Sequence, residues 1–260
     1  KLNPLFEQNR QEYKEYYETC KHPNSPAMRD PNPVIIIYPG VGMFSFSKDK
    51  QTTRVANEFY VNAINVMRGA EAISEYTSLP RQEAFNIEYW LLEEAKLQRM
   101  PKEKPLSRKV AIVTGAGGGI GQAIADKMVA EGAVVVFTDL NQEAVESVTA
   151  KYNKDQAVSV PCDVTSEESI ANAYKEAVLA FGGVDIIVHS AGLAISKSLE
   201  DTTTKDWDLL ENVLVKGQFM MAKSGTEIMK KQNLGGDIVN IASKDGLVAG
   251  PNNVAYGTAK

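Results

Sequence analysis

Lys109-Val110-Ala111-Ile112-Val113-Thr114 followed by Gly115-Ala116-Gly117-Gly118-Gly119-Ile120-Gly121 is the stretch that decides the fold. An apolar run of strand length passes directly into a glycine-rich turn, and a helical pattern begins at the end of that turn. Glycines permit the tight turn and let backbone N–H groups approach a bound pyrophosphate, whose charge the helix N-terminus favours. Glycine-rich turns also serve ordinary chain reversals. Here the strand-turn-helix context that the phosphate reading demands is present.

Outward from this turn the pattern is regular. Strands are expected near 109–114, 133–138, 156–161, 184–189 and 237–242. Helical stretches near 119–131, 141–152, 166–181, 204–232 and from 254 onward alternate with them. Apolar strands alternating with amphipathic helices predict an α/β fold, a Rossmann-type doubly wound parallel sheet with helices on both faces.

The second strand ends Val136-Phe137-Thr138-Asp139, with Asp139 18 residues past Gly121. A carboxylate there accepts from the hydroxyls of an adenosine ribose and repels a 2′-phosphate. Leu140 and Asn141 follow, with no neighbouring Arg, so NAD is expected rather than NADP. Asp139 also stands where it can cap the next helix, and the two roles are compatible. The third strand leads into Cys162-Asp163-Val164, beside the adenine in such a sheet. Asp163 could accept from the adenine amino group and Val164 could wall it, but the same residues suit a plain turn equally well.

The fourth strand ends His189-Ser190-Ala191-Gly192 and the fifth ends Ile241-Ala242-Ser243, both on the carboxyl edge where ligands of doubly wound sheets bind. Tyr256-Gly257-Thr258-Ala259-Lys260 then places a phenol and an ammonium four residues apart, on one helix face. A phenol ionises near ~10. A neighbouring ammonium favours the phenolate and makes it a usable base at neutral pH. Ser243 could donate to a substrate oxygen while Tyr256 exchanges the proton. A bare Tyr-x-x-x-Lys is common, and its bland explanation is a surface helix pair; its position after Ser243 strengthens the catalytic one.

Together these residues resemble the short-chain dehydrogenase/reductase family over about 106–260. The resemblance rests on Thr114-Gly115-x-x-x-Gly119-Ile120-Gly121, Asp139, Asp163, Ala191-Gly192, Ser243, Tyr256 and Lys260. It implies a nicotinamide cofactor held by Gly115, Gly117, Gly119, Ile120, Gly121, Asp139, Asp163, Val164, Ser190, Ala191, Gly192, Tyr256 and Lys260. It also implies Ser-Tyr-Lys catalysis and a homo-oligomer. Two departures stand out. His189-Ser190 replaces a pair of asparagines, and His189 is expected to be structural. Leu214 stands three residues before Gly217, where the family often has an Asn, and Asn212 falls on another face of the helix. The proton relay behind the Lys is therefore expected to take another route.

Residues 1–100 resemble the end of a class II aldolase/adducin-type domain, through Pro39-Gly40-Val41-Gly42-Met43-Phe44-Ser45, Ala70-Glu71-Ala72 and Phe85 to Leu97. The bland alternative is a generic helical lid. Here a strand over 34–38, helices over 3–20, 49–77 and 81–98, and an apolar stripe of Phe85, Ile87, Leu91, Leu92 and Leu97 are expected. Met100-Pro101-Lys102-Glu103-Lys104-Pro105 predicts a linker over 101–107, with the dinucleotide domain over 108–260. A class II aldolase half joined to such a dehydrogenase resembles bifunctional rhamnulose-1-phosphate aldolase/short-chain dehydrogenases. That implies L-lactaldehyde as substrate, with a sugar- or polyol-phosphate dehydrogenase or a non-catalytic dinucleotide-binding scaffold as alternatives.

Composition bounds the rest. A net charge of −5 over 260 residues points to no nucleic-acid or acidic-membrane partner. Only Cys20, Cys162, His22 and His189 could act as soft ligands, without metal spacing, so no metal site is expected. Two distant cysteines suit a reducing cytoplasm, and no apolar run reaches the ~18 residues of a membrane span. The chain starts without Met and stops inside an expected helix, so both ends look like cuts through a longer protein, with two more strands and a substrate loop expected after Lys260.

Overall fold

In a computed structural model that describes residues 2–248 and 250–260, the chain divides into two compact units, Lys1–Lys102 and Glu103–Lys260. The first unit begins with α1 (Asn3–Cys20) and the antiparallel pair β1 (Ile35–Tyr38) and β2 (Gly42–Ser45). The helices α2 (Lys50–Glu71), α3 (Arg81–Glu88) and α4 (Leu91–Gln98) follow. The second strand was not expected from the pattern, because Pro39-Gly40 looks like the end of a strand. Gly40, at φ 77°, instead turns the chain back on itself. Asp49 caps α2 by accepting from the Thr52 N–H at 2.7 Å.

The expected helix over 81–98 is two helices. The chain leaves helical geometry at Trp90, whose ψ is 126°. The expected stripe therefore does not form. Phe85 is buried, whereas Ile87, Leu91, Leu92 and Leu97 are exposed. Phe85 stacks on Tyr89 with centroids 4.5 Å apart, and Tyr17 and Cys20 of α1 complete a small aromatic core.

The second unit carries β3 (Val110–Thr114), α5 (Gly119–Ala130), β4 (Val134–Asp139), α6 (Gln142–Thr149), β5 (Ala157–Pro161), α7 (Glu167–Phe181) and β6 (Ile186–His189). Then come α8 (Thr204–Leu210), a π-turn (Glu211–Lys216), α9 (Gly217–Gln232), β7 (Asp237–Asn240), a 3-10 turn (Lys244–Gly246) and α10 (Val254–Ala259). The five strands pair in parallel in the order β5-β4-β3-β6-β7. This is a Rossmann-type doubly wound sheet, as the alternating pattern predicts. The strand order reverses direction between β3 and β6, and the carboxyl ends of those strands open the crevice where such sheets bind ligands.

Residues 104–107 do not behave as a free linker. The Leu106 N–H donates to the Glu131 carbonyl at 3.0 Å, and Lys104 Nζ donates to the Ala130 carbonyl at 2.8 Å. Both bonds satisfy carbonyls at the end of α5, which would otherwise lack partners.

Successive strand residues face opposite layers. Ile112, Val136 and Ile187 pack with Ile170, Tyr174, Met220 and Met221 of α7 and α9. Ala111, Val113, Val135, Phe137 and Val188 pack with Ala125, Val129 and Val145 of α5 and α6. Side-chain caps start the helices: Asn141 for α6, Ser166 for α7, and a capping box of Thr203 and Asp206 for α8. Gly182, at φ 87°, ends α7. The single helix expected over 204–232 is interrupted by the π-turn, which propensity does not signal. Among the described residues no helix is long and apolar enough to cross a membrane.

Ile112 is fully buried at the centre of the sheet. Ile112→Ala should destabilise the second unit by about 2–5 kcal/mol, the range for deleting such a side chain without full collapse of the cavity. Chemical denaturation followed by circular dichroism measures this. A loss below about 1 kcal/mol would mean that the centre of the sheet is not packed as described.

Candidate functional site

The turn after β3 is built by close backbone approaches that only glycine allows. Gly115 has φ 67°, and a Cβ there would lie 2.8 Å from the Ala191 Cα. A Cβ on Gly121 would lie 2.2 Å from the Gly115 carbonyl oxygen. Gly118 occupies the N-cap of α5, where no side chain accepts from the first N–H groups. Those donors remain available to an anion at the helix N-terminus.

Thr114 joins the first turn to the end of β6. Its Oγ1 accepts from the Ser190 N–H at 3.1 Å and from the Ala191 N–H at 3.0 Å, and it lies 3.3 Å from His189 Nδ1. The sequence pattern presents Thr114 as the last residue of a strand and the first of the glycine motif, with no side-chain role. Its side-chain role emerges once β3 and β6 are neighbours.

A groove of about 510 Å³ lies over these strand ends. Gly115, Gly119, Ile120, Gly121, Asp139, Asp163, Val164, Ser190, Ala191 and Gly192 line it, together with Gly118, Leu140, Cys162, Leu193 and Val213. Ten expected cofactor residues are thus brought to one concave surface. Leu140, Cys162 and Leu193 adjoin expected residues and could have been added from the strand ends alone. Val213 could not, because it comes from the π-turn.

Gly117 does not line the groove. Its N–H donates to Asp139 Oδ2 at 3.0 Å, so it serves the carboxylate from behind the turn. The other Asp139 oxygen accepts from the Asn141 N–H at 2.9 Å, while Asn141 itself caps α6. Asp139 is thereby held in place with lone pairs to spare, since a carboxylate accepts about four hydrogen bonds. Asp163 accepts through Oδ1 from the Thr165 N–H and hydroxyl, at 2.8 and 2.7 Å. The turn role of Asp163 is therefore present, and its residue still borders the groove.

Ser243, three residues past β7, Tyr256 in α10 and Lys260 at the C-cap of α10 stand outside the residues lining that groove. All three are partly buried. Ser243 precedes the 3-10 turn, and its Oγ accepts from the Asp245 N–H at 3.3 Å. Glycines bring this turn onto α10: a Cβ on Gly257 would lie 2.9 Å from the Asp245 carbonyl oxygen, and one on Gly246 would lie 2.6 Å from the Lys260 carbonyl carbon. The ring of Tyr256 packs on Leu210, Leu214 and Ala255. Lys260 Nζ donates to the Ile241 carbonyl at 2.7 Å, and burial lowers its pKa below the usual lysine value.

Leu214 is buried, with Cδ2 only 3.0 Å from where a Cβ on Gly192 would stand. The same Cβ would lie 3.7 Å from Lys260 Nζ, so leucine and ammonium meet over Gly192. Asn212 is exposed and does not take the place of the missing amide. No group of three His, Cys, Asp or Glu side chains that could hold a metal occurs among the described residues.

Comparison with known proteins agrees with this geometry. The profile of the short chain dehydrogenase family matches residues 109–260, and that of the class II aldolase second domain matches residues 1–97. The uncharacterized oxidoreductase YuxG of Bacillus subtilis (strain 168) is 40% identical over 253 residues, which are 96% of this chain and 37% of that protein. An uncharacterized oxidoreductase of Staphylococcus aureus (strain USA300) is 37% identical over 155 residues, 60% of this chain and 67% of that one. The crystal structure of an NAD⁺-bound xylitol dehydrogenase superposes with a TM-score of 0.58 at 37% identity, covering 60% of this chain and 61% of that chain. The present chain thus spans little more than a third of YuxG.

Gly121→Ala should cost at least about 1–3 kcal/mol, because its methyl group meets backbone rather than a movable side chain. Thermal unfolding of the variant beside the parent tests this. An unchanged melting temperature would mean that the turn is not as tight as the 2.2 Å approach requires.

Proposed function

The chain belongs to the short-chain dehydrogenase family, and on that basis we propose that it is an NAD-dependent oxidoreductase acting on a small hydroxy-aldehyde or alcohol. The observation that carries this reading is the glycine-floored groove at the switch point, with Asp139 held at its rim. The residues present fit a dinucleotide. Gly115, Gly118, Gly119, Ile120 and Gly121 offer backbone to a pyrophosphate, in a turn whose tightness at Gly115 and Gly121 leaves no room for a Cβ. Asp139 suits ribose hydroxyls and repels a 2′-phosphate. Asp163 and Val164 border the adenine end, and Ser190, Ala191 and Gly192 the nicotinamide end.

When bound, the nicotinamide supplies hydride exchange. The protein's own task is then the proton and the alignment. In this proposal Ser243 donates to the substrate oxygen, and Tyr256 takes or returns the hydroxyl proton. The Lys260 ammonium favours negative charge on the Tyr256 oxygen and reaches the nicotinamide ribose.

The class II aldolase match over residues 1–97 supports an aldehyde as substrate. The resemblance to rhamnulose-1-phosphate aldolase fusions narrows this to L-lactaldehyde, oxidised as its hydrate to lactate with NAD⁺ or reduced to propanediol with NADH. A second reading, a polyol dehydrogenase, is favoured by the similarity to a xylitol dehydrogenase.

Nicotinamide absorbance decides between them, with L-lactaldehyde or xylitol offered to the protein beside Tyr256→Phe. Turnover with lactaldehyde, falling at least about 100-fold in the variant, is expected from loss of a general acid–base group. Turnover with xylitol alone moves the assignment to polyols. Turnover with neither, in either direction, removes both. NADP should be used far less well than NAD, and Asp139→Ser should narrow that gap; equal use by the parent would overturn the role given to Asp139.

A further inference from the structure

His189 is a buried basic group that the proposed chemistry does not use. It is 5% exposed, its Nε2 makes no hydrogen bond of ordinary geometry among the described residues, and the Val213 backbone lies near enough to favour a proton on the ring. Its side chain follows the parity of Ile187, toward the layer that holds α7, the π-turn and α9. The hydrogen bonds of its neighbour determine its protonation. A threonine hydroxyl has one proton and two acceptor lone pairs. Both lone pairs of Thr114 Oγ1 are taken, by the N–H groups of Ser190 and Ala191. Its one proton can therefore go only to His189 Nδ1, 3.3 Å away. Nδ1 is then an acceptor, and the imidazole proton resides on Nε2.

Lys260 is joined to the same strand end through the backbone. Its Nζ bonds the Ile241 carbonyl, and the Ile241 N–H in turn bonds the His189 carbonyl at 3.0 Å. Leu214 and Gly192 beside that ammonium bring no acid to it. Among the described residues Lys260 is the charged side chain that acts on the imidazole. The Lys260 charge disfavours a second positive charge on the buried imidazole.

We propose that Thr114 locks His189 as the neutral, Nε2-protonated imidazole, so that Lys260 alone of the two carries the charge. Protonating His189 would place a proton on Nδ1, and Thr114 would then face three donors with two lone pairs. The hydroxyl would have to release Ser190 or Ala191, which border the groove. His189 is therefore a positioning residue, and it acts through the charge it leaves to Lys260. Burial, and then the Lys260 charge, push the imidazole down to about 4, while the backbone at Val213 acts in the opposite sense. The inference rests on the proposed function only for the use made of Lys260.

The sequence has two histidines, His22 and His189, whose signals are assigned separately. Long-range ¹⁵N–¹H correlation spectra of the histidine-labelled protein report tautomer and titration separately for each. His189 should show the Nε2–H tautomer at neutral pH and remain uncharged well below the usual histidine pKa of about 6.5. Lys260→Met should move the His189 midpoint up by about one pH unit, as removal of a nearby like charge does, whereas Lys260→Arg should leave it low. Thr114→Val should allow the Nδ1–H form, and Thr114→Ser should restore the lock. An Nδ1–H tautomer in the parent, a midpoint near the usual histidine value, or no response to Lys260→Met would each overturn the proposal. None of these spectra needs a nucleotide. A protein that shows the lock but turns over no substrate contradicts the proposed function alone, and one that turns over substrate without the lock contradicts this inference alone.

Discussion

The hydroxyl of Thr114 holds together the two strand ends on which the groove depends. β3 and β6 are neighbours in the sheet, yet their chains leave in opposite directions, one into α5 and the other toward α8. A crevice at such a point tends to gape unless something spans it. Here a single oxygen accepts from two consecutive backbone N–H groups of the β6 exit, and glycine at position 115 lets the two backbones touch. Buried hydrogen bonds of this kind contribute about 1 kcal/mol each, but an unsatisfied donor in the same place costs more. The arrangement therefore acts chiefly by making every alternative arrangement of the loop unfavourable.

Much of the second unit was legible in the sequence because both of its signals are local. Strand runs such as Val110–Thr114 and Val134–Asp139 carry their burial in their composition, and glycine spacing in the first turn reflects backbone approaches a few residues apart. The groove residues followed from this, since strand order alone sends the carboxyl ends of adjacent strands to one edge. What could not be read depends on contacts between distant residues. Gly117 looks like its neighbours in sequence, yet its N–H is claimed by Asp139. The π-turn over Glu211–Lys216 has ordinary helical composition, and Val213 enters the groove because of it.

The first unit was less legible for a physical reason. Its helices bury little: α2 and α4 contain no buried residue, and α3 only Phe85. Periodicity predicts a face only when something covers that face, and a run such as Ile87, Leu91, Leu92 and Leu97 carries the same apolar signal whether covered or not. The break at Tyr89-Trp90 has no proline or glycine to announce it. The aromatic contacts among Tyr17, Phe85 and Tyr89 join segments some seventy residues apart, beyond the reach of any local pattern.

Gly115, Gly118, Gly119, Gly121, Ala191 and Gly192 bring little but main chain to the floor of the groove. Main-chain donors are present whatever side chains drift elsewhere, provided that the few glycines persist. Ser243 and Tyr256 lie on segments that do not line that floor. The glycine turn and the segment that carries Ser243 and Tyr256 are thus written in separate parts of the chain. Side chains on the later segments can therefore change while the first turn goes on presenting the same amides.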